Sequence, residues 1–529
     1  MVVNGVVGFV SAYLCLYLLT YVIRFLYDLW WKPLRIQRAL RSQGLGGHSY
    51  KFPHGNTKEI SKMIGESMAK PMELSHDVFA TTMPHLQSWI NKFGKNFFFW
   101  HSSKAQLVVS EPELIKEILN NKEGVFRKIE LQGFFKKLLG DGLVTVEGQK
   151  WITQRKIANH SFHADSLKGM VQAMSDSVDV MLERWRGFEG KEIEVFHEYR
   201  QLTADVIART AFGSSFLEGK NIFDMLTKLS ALAGANSYRT KIPGVGKFFK
   251  DSDEIESEKL EQNIRDSIIE VIRKRKEKMK LGETNTDGCY FLESLIKANE
   301  ETDESKRISM DDVIDECKTF YFAGHETTTS LLTWTSLLLA TNQEWQDEAR
   351  QEAIKLLDKK TTSLEFYDHV ARSKTVRNQD LNMIFNETLR LYTPASITVR
   401  RVAKKARLGK LVIPSGMEVL IPILFVHHDP DIWGEDVNLF KPERFSKGVA
   451  NANATNSTNS NTSALTFFPF GYGPRTCVGL NFALLEAKIA LVVILQRYQF
   501  TLSPTYVHSP FFNVTIHPQH GLQLVLHAL

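Results

Sequence analysis

The chain has 529 residues, 43% hydrophobic and 24% charged, with 65 basic side chains against 60 acidic and a net charge of +5. That balance excludes a disordered or fibrous chain, and so small a basic excess does not point to nucleic acid. The four cysteines, Cys15, Cys289, Cys317 and Cys477, are too scattered for a disulfide framework or a zinc spacing, which places most of the chain in a reducing compartment.

Residues 1–23 carry no charged side chain. As a helix they reach about 35 Å, enough to cross a hydrocarbon core of about 30 Å. Trp30 and Trp31 follow, suited to the membrane interface, and then Lys32, Arg35, Arg38 and Arg41. Positive charge after the span and none before it places the C-terminal side in the cytosol. A cleaved signal peptide would want basic residues ahead of the apolar run and small residues at a cleavage site, and neither is evident. The expected organisation is an anchor over 1–23, a basic linker over 24–50 and one domain over 51–529.

Beyond the anchor, apolar residues recur at three- and four-residue steps over 165–188, 255–279, 310–339 and 380–392, predicting helices. Strand signals are short, at 97–100, 106–110, 411–413, 418–421 and 522–526. The expected fold class is mainly α with a small β-sheet subdomain. Trp151 and Arg155 form an i, i+4 pair on a helix.

Within "ECKTFYFAGHETTTSLLTW", Ala323 and Gly324 are two minimal side chains in mid-helix, and glycine costs about 1 kcal/mol there against alanine. A need for room beside the helix explains that cost. Glu326 and Thr327 put an acid and a hydroxyl next to the gap, while helical spacing turns His325 elsewhere. A kinked core helix with a buried threonine has the same pattern.

Glu387 and Arg390 share a helix face at i, i+3, a spacing that usually marks a surface ion pair worth under about 1 kcal/mol. "FKPERF" follows with Arg444, and then "NANATNSTNSNTS" at 451–463. That segment cannot bury apolar area and is expected to be a mobile surface loop. Its sequons at Asn453, Asn456 and Asn461 fall on the cytosolic side and are read as unused, while those at Asn386 and Asn513 look like chance matches.

"FFPFGYGPRTCVGLNFALLEAKIALVV" then sets Cys477 in a glycine-rich loop before an apolar helix. Glycines let a backbone turn sharply and approach a flat ligand. A thiol at a helix N-terminus is expected to have a lowered pKa. A metal-ligand thiolate, a buried structural cysteine and a nucleophile served by a distant histidine all fit these features alone.

The whole string, Phe470-x-x-Gly473-x-Arg475-x-Cys477-x-Gly479 with Gly471 inside it, resembles the signature of the cytochrome P450 family. The resemblance covers nearly all of the chain beyond the anchor. It implies haem b (iron protoporphyrin IX) with Cys477 as axial ligand, and Phe470, Gly471, Arg475 and Gly479 around it. Trp151, Arg155 and Arg401 would bind the haem propionates, with Arg400 a rival for the last place. Ala323 and Gly324 would form the oxygen groove, Glu326 and Thr327 the proton relay beside it. Glu387, Arg390 and Arg444 would be a buried network that fixes the cysteine loop. The chain departs from the family in its thin proline hinge after the anchor (Pro33 and Pro53), in Thr393 where many relatives have proline, and in the 451–463 insert.

The implied activity is that of a monooxygenase of the endoplasmic reticulum membrane, anchored once, with a cytosolic catalytic domain. It would use O2 and NADPH electrons delivered by NADPH-cytochrome P450 reductase docking near the Cys477 face. "TADVIARTAFGSSFLEGKNIF" and "HPQHGLQLVLHAL" resemble the plant clan that includes secologanin synthase and hormone-inactivating hydroxylases, which implies a terpenoid- or hormone-like apolar substrate. The pocket is expected from 131–146, 228–249, the Ala323 region, 395–399 and 510–514. A haem–thiolate isomerase or dehydratase that needs no NADPH and a non-catalytic haem sensor are the alternatives, and the Glu326–Thr327 pair argues against the first.

Overall fold

An apolar helix, α1 (Val2–Leu26), leads into the domain in the computed structural model, which describes residues 2–121, 123–239, 250–282, 291–304, 306–357, 379–452 and 465–529. Outside those residues lie Cys289, residues 453–463 with their three sequons, and 240–249 of the expected pocket wall. The helix does not stop at the expected edge of the anchor. It passes through a π-turn at Tyr27–Trp31 into α2 (Lys32–Arg41).

Val6–Arg41 is thus one helix long and apolar enough to cross a membrane, and its apolar window is fully exposed. The expected linker is therefore helical over its first two-thirds, to Arg41. Pro33 explains the π-turn: it has no N–H to give to the carbonyl four residues back, that of Leu29. Tyr50 takes the freed acceptor, its Oη donating to Leu29 O at 2.6 Å. Leu40 of α2 is fully buried, so this end of the helix is packed onto the domain.

Helices form most of the body. The helices α3 (Gly148–Ser161), α4 (Ala164–Trp185), α5 (Val195–Ile207) and α6 (Ser252–Lys280) precede a 32-residue helix, α7 (Met310–Thr341). A capping box starts α7: Ser309 Oγ accepts from the Asp312 N–H and the Asp312 carboxylate from the Ser309 N–H. Its many threonines are tolerated in the core because their hydroxyls bond back into the helix, as Thr333 to Thr329 O at 2.7 Å and Thr335 to Leu331 O at 2.8 Å. Then come α8 (Gln379–Leu391) and α9 (Leu480–Arg497).

A mixed five-stranded sheet lies beside them, built from β1 (Asn96–His101), β2 (Lys104–Val109), β3 (Phe126–Lys128), β4 (Ile397–Val402) and β5 (Glu418–Pro422). The order is β1-β2-β5-β4-β3, with only β2 and β5 parallel. It has its own apolar core around Phe98, Trp100, Val419 and Ile421. A hairpin of β6 (Pro510–Asn513) and β7 (Thr515–Pro518) reaches back to α7, where the Trp334 indole N–H donates to Ile516 O at 3.0 Å.

Candidate active site

Cys477 lies between Phe470 and the start of α9. Its N–H donates to Phe470 O at 2.9 Å, closing the loop on itself. Gly471 and Gly473 both hold φ +75°, in the left-handed region. A Cβ on Gly473 would come within 2.8 Å of Leu119 O, so glycine is required there on two counts.

The thiol is exposed, but to an interior cavity of about 400 Å³ that Cys477 helps to line. Burial raises its pKa, against the Gly479 N–H and the Arg155 charge, which favour the anion. The lowering expected from the helix N-terminus is therefore overturned: desolvation outweighs the local dipole.

The same cavity reaches α7 through Ala323, Gly324, Thr327 and Thr328. The missing Cβ of Gly324 has a specific cause: an added carbon would lie 2.7 Å from Ile207 Cγ1 at the end of α5. Thr327 Oγ1 donates to Ala323 O at 2.8 Å and so keeps its lone pairs free.

Glu326 does not line the cavity. It is buried behind Thr327 with His517 Nδ1 at 3.2 Å, His325 Nε2 at 3.4 Å and Arg200 Nη2 at 3.7 Å. Burial pushes this carboxyl up, but His517, His325 and Arg200 more than offset it and leave the group below its ordinary value. His325 turns away from the cavity, as the helical spacing predicts, yet it meets the acid.

One end of the cavity is strongly cationic. Trp151, Arg155 and Arg475 line it as a group, the Arg475 guanidinium 4.3 Å over the Trp151 ring and donating to Val146 O at 2.8 Å. Arg155 donates to Thr476 O at 2.6 Å, next to the thiol.

Arg401 requires a correction. In β4 successive side chains alternate between faces. Arg400, paired with Val419, is buried and lines the cavity, while Arg401, paired with Glu418, is exposed on the far face. Lys128, on the neighbouring β3, joins Arg400 there and was missed because nothing in its local sequence marks it. Burial and then Arg400 push Lys128 down to about 7, and burial and then Arg475 push Arg400 down to about 10, with only Glu147 opposing.

Phe470, Gly471 and Gly479 also line the cavity, and the apolar wall draws on Leu143, Val144, Ala395 and Ile397. Nothing from 228–239 or 510–514 reaches it among the described residues.

Behind the loop, Glu387 and Arg390 are both fully buried and joined by two bonds of 2.7 Å. Glu387 also accepts from the Lys441 N–H at 3.0 Å, and Arg444 Nε stands 3.5 Å away. The sequence showed no histidine here. Arg390 donates to His427 O at 3.0 Å, and His427 Nε2 accepts the Phe468 N–H at 3.2 Å, two residues before Phe470. His427 Nδ1 therefore carries the hydrogen and donates to Thr393 Oγ1 at 2.7 Å, which in turn donates to Leu389 O.

The family model described as Cytochrome P450 matches residues 75–524. The chain belongs to the cytochrome P450 family. It is 51% identical over 523 residues to Cytochrome P450 CYP749A22 of Panax ginseng, with 98% of this chain and 97% of that protein covered. It is 38% identical to 7-deoxyloganic acid hydroxylase of Catharanthus roseus (97% of each covered) and 37% identical to Secologanin synthase 1 of the same plant (94% of each). It is thus an oxidoreductase of the monooxygenase type, a cytochrome P450 related to plant enzymes of terpenoid metabolism.

A P450 carries haem iron, and the residues present fit that group. The one thiol among the described cavity residues is open to the space, and no histidine competes with it. Burial holds Lys128, Arg155, Arg400 and Arg475 below their ordinary values, Arg400 and Arg475 add to this on Lys128, Arg475 on Arg400 and Arg155 on Arg475, and Glu147 opposes it on three of them, a cluster that calls for an incoming anion.

Proposed function

We propose that this P450 inserts one atom of O2 into an apolar terpenoid- or hormone-like small molecule. Its electrons come from NADPH through NADPH-cytochrome P450 reductase, at the endoplasmic reticulum membrane with the catalytic domain in the cytosol. One observation carries the reading: a single cavity brings together the Cys477 thiol, the Thr327 hydroxyl and four cations. The relatives' names, a 7-deoxyloganic acid hydroxylase and a secologanin synthase, support the substrate class.

Haem b, when bound, supplies the oxygen chemistry and accepts the electrons. Cys477 would hold the iron through its sulfur. The raised pKa keeps the thiol protonated until a metal displaces the proton, and the Gly479 N–H and Arg155 would then favour the anion. Lys128, Arg155, Arg400 and Arg475, with Trp151 under Arg475, hold the carboxylates. Phe470, Gly471 and Gly479 shape the loop around the sulfur, while Ala323 and Gly324 keep the facing wall shallow.

Thr327 Oγ1 can receive a proton on its free lone pairs and pass one into the cavity, with Glu326 as the acid behind it. The apolar walls exclude water and orient an apolar ligand. The domain is taken as 51–529, with the helical anchor before it.

The test is turnover in microsomes with reductase, NADPH and a panel of terpenoids and plant hormones. A product one oxygen heavier, dependent on NADPH and reductase, is the expected result. Conversion without NADPH would favour an isomerase, and no conversion or substrate-stimulated NADPH use with any compound would favour a sensor. In Thr327→Ala, product per NADPH should fall on the order of tenfold while hydrogen peroxide rises. Full coupling in that variant would remove the hydroxyl from the relay.

The correction at β4 gives a sharper test. Arg400→Ala should weaken haem retention roughly tenfold, as expected for loss of one charge-assisted bond. Arg401→Ala should leave it unchanged. Haem loss from purified protein to an acceptor globin measures both.

A further inference from the structure

Glu326 meets charged or titratable groups from three elements. His325 comes from its own helix, Arg200 from α5 and His517 from β7, with the Thr515 hydroxyl 3.4 Å from Oε1. The outer nitrogens of both imidazoles are already committed. His517 Nε2 lies 3.1 Å from Asn513 O, and His325 Nδ1 lies 2.7 Å from Tyr321 O. A carbonyl only accepts, so each of those nitrogens carries a hydrogen.

The consequence holds for both imidazoles and is sharpest for His517, whose contact with the acid is the shorter, 3.2 Å against 3.4 Å. A neutral imidazole has a single N–H. With that hydrogen on Nε2, Nδ1 is a bare lone pair 3.2 Å from Oε1 of Glu326. If the carboxyl is ionised, lone pair faces lone pair in a buried site, which is repulsive. The contact becomes attractive only with one more proton between the two atoms, on either of them.

We infer that Glu326 and His517 share one proton, and that His517 is the residue through which Glu326 is recharged from the solvent side. His517 is suited to the task by position. Its ring is buried, 9% exposed against 5% for the acid, and packs on Phe196 and Phe511 with centroids 5.8 and 5.2 Å away. Arg200, in the same cluster, is 25% exposed, against 5% for the acid. Burial holds His517 below its ordinary pKa against the pull of Glu326, so the proton is one it gives up readily.

The role of the couple in turnover rests on the monooxygenase reading above, in which Thr327 passes protons into the cavity. The proton sharing itself does not.

Two measurements test the inference on the full-length, haem-loaded protein in lipid nanodiscs. The first is 15N spectroscopy of histidine ring nitrogens at a pH well below the ordinary imidazole pKa of about 6.5, with His517→Gln used to assign the signals. Both His517 nitrogens are expected to be protonated or sharing a proton, and Glu326→Gln should return the ring to a single N–H. A single N–H ring in both proteins would overturn the inference.

The second is the pH profile of hydrogen peroxide released per NADPH. In the parent protein it should rise as pH climbs toward the ordinary imidazole range, because the shared proton is lost below it. In His517→Gln it should be roughly tenfold higher at low pH and no longer vary, with the carbon monoxide spectrum unchanged. A uniform loss of activity with the parent's pH profile would mark a merely structural residue and sink the recharging role. Failure of the monooxygenase reading looks different: the parent itself would then consume no NADPH, while the ring signals would still decide the sharing.

Discussion

Replacing Cys477 with alanine is expected to abolish the thiolate-type carbon monoxide spectrum and all turnover while leaving the fold in place. The two halves of this expectation rest on different contacts. The loop is shaped by backbone features: the Cys477 N–H bond to Phe470 O, and two glycines at φ +75°. One of these packs so tightly on Leu119 O that no side chain fits. None of them uses the sulfur. The thiol itself faces the cavity, so removing it costs little packing, and the stability change should stay within about 1 kcal/mol.

The chemical effect should be total. Among the described residues the cavity lining contains no second cysteine and no histidine to take the sulfur's place. The cationic end alone would be left to hold the haem, with no soft anionic ligand for the iron. The check is a reduced carbon monoxide difference spectrum after haem supplementation, alongside circular dichroism. A parent-like spectrum in a folded variant would refute the assignment of sulfur as ligand.

The sequence reveals what is local. The cysteine loop, the small residues of α7 and the Glu387–Arg390 spacing all belong to continuous stretches, and α7 itself starts at the expected Met310. What escaped depends on register or on distant partners. Whether Arg400 or Arg401 faces inward is set by which of them stands opposite Val419, and a strand with adjacent arginines gives no alternation to read. Lys128 reaches the cavity only because β3 pairs with β4 across more than 250 residues of chain. His427 and His517 sit in unremarkable surroundings, and their roles arise from what the fold brings against them. The thiol's pKa shows the limit of local logic most plainly. Its place before α9 predicts a lowered value, and only the closed interior around it reveals that desolvation wins.

The second large effect is expected at Arg390, far from any reacting atom. Arg390→Ala should destabilise the protein by about 3–5 kcal/mol, because it leaves the Glu387 carboxylate fully buried without its main partner. Arg444 can offset only part of the loss: its Nε stands 3.5 Å from Glu387, but its Nη groups are engaged with Trp433 O, Asp436 O and the Asp436 carboxylate. The loss should also reach the site. Arg390 pins His427 through its carbonyl, and His427 accepts the Phe468 N–H at the mouth of the cysteine loop. A double variant, Glu387→Gln with Arg390→Met, removes the stranded charge and should recover part of the stability. It should not recover haem retention, since His427 is still released. Denaturant titration and haem-loss kinetics on the parent and both variants separate the two effects. If Arg390→Ala were as stable as the parent, the buried pair would be an ornament of the fold. If the double variant held haem as tightly as the parent, the path from Arg390 through His427 to the loop would carry no weight. The geometry argues against both, because Glu387, Arg390 and His427 are all fully buried and the Arg390–His427 and His427–Phe468 bonds join them directly to the loop.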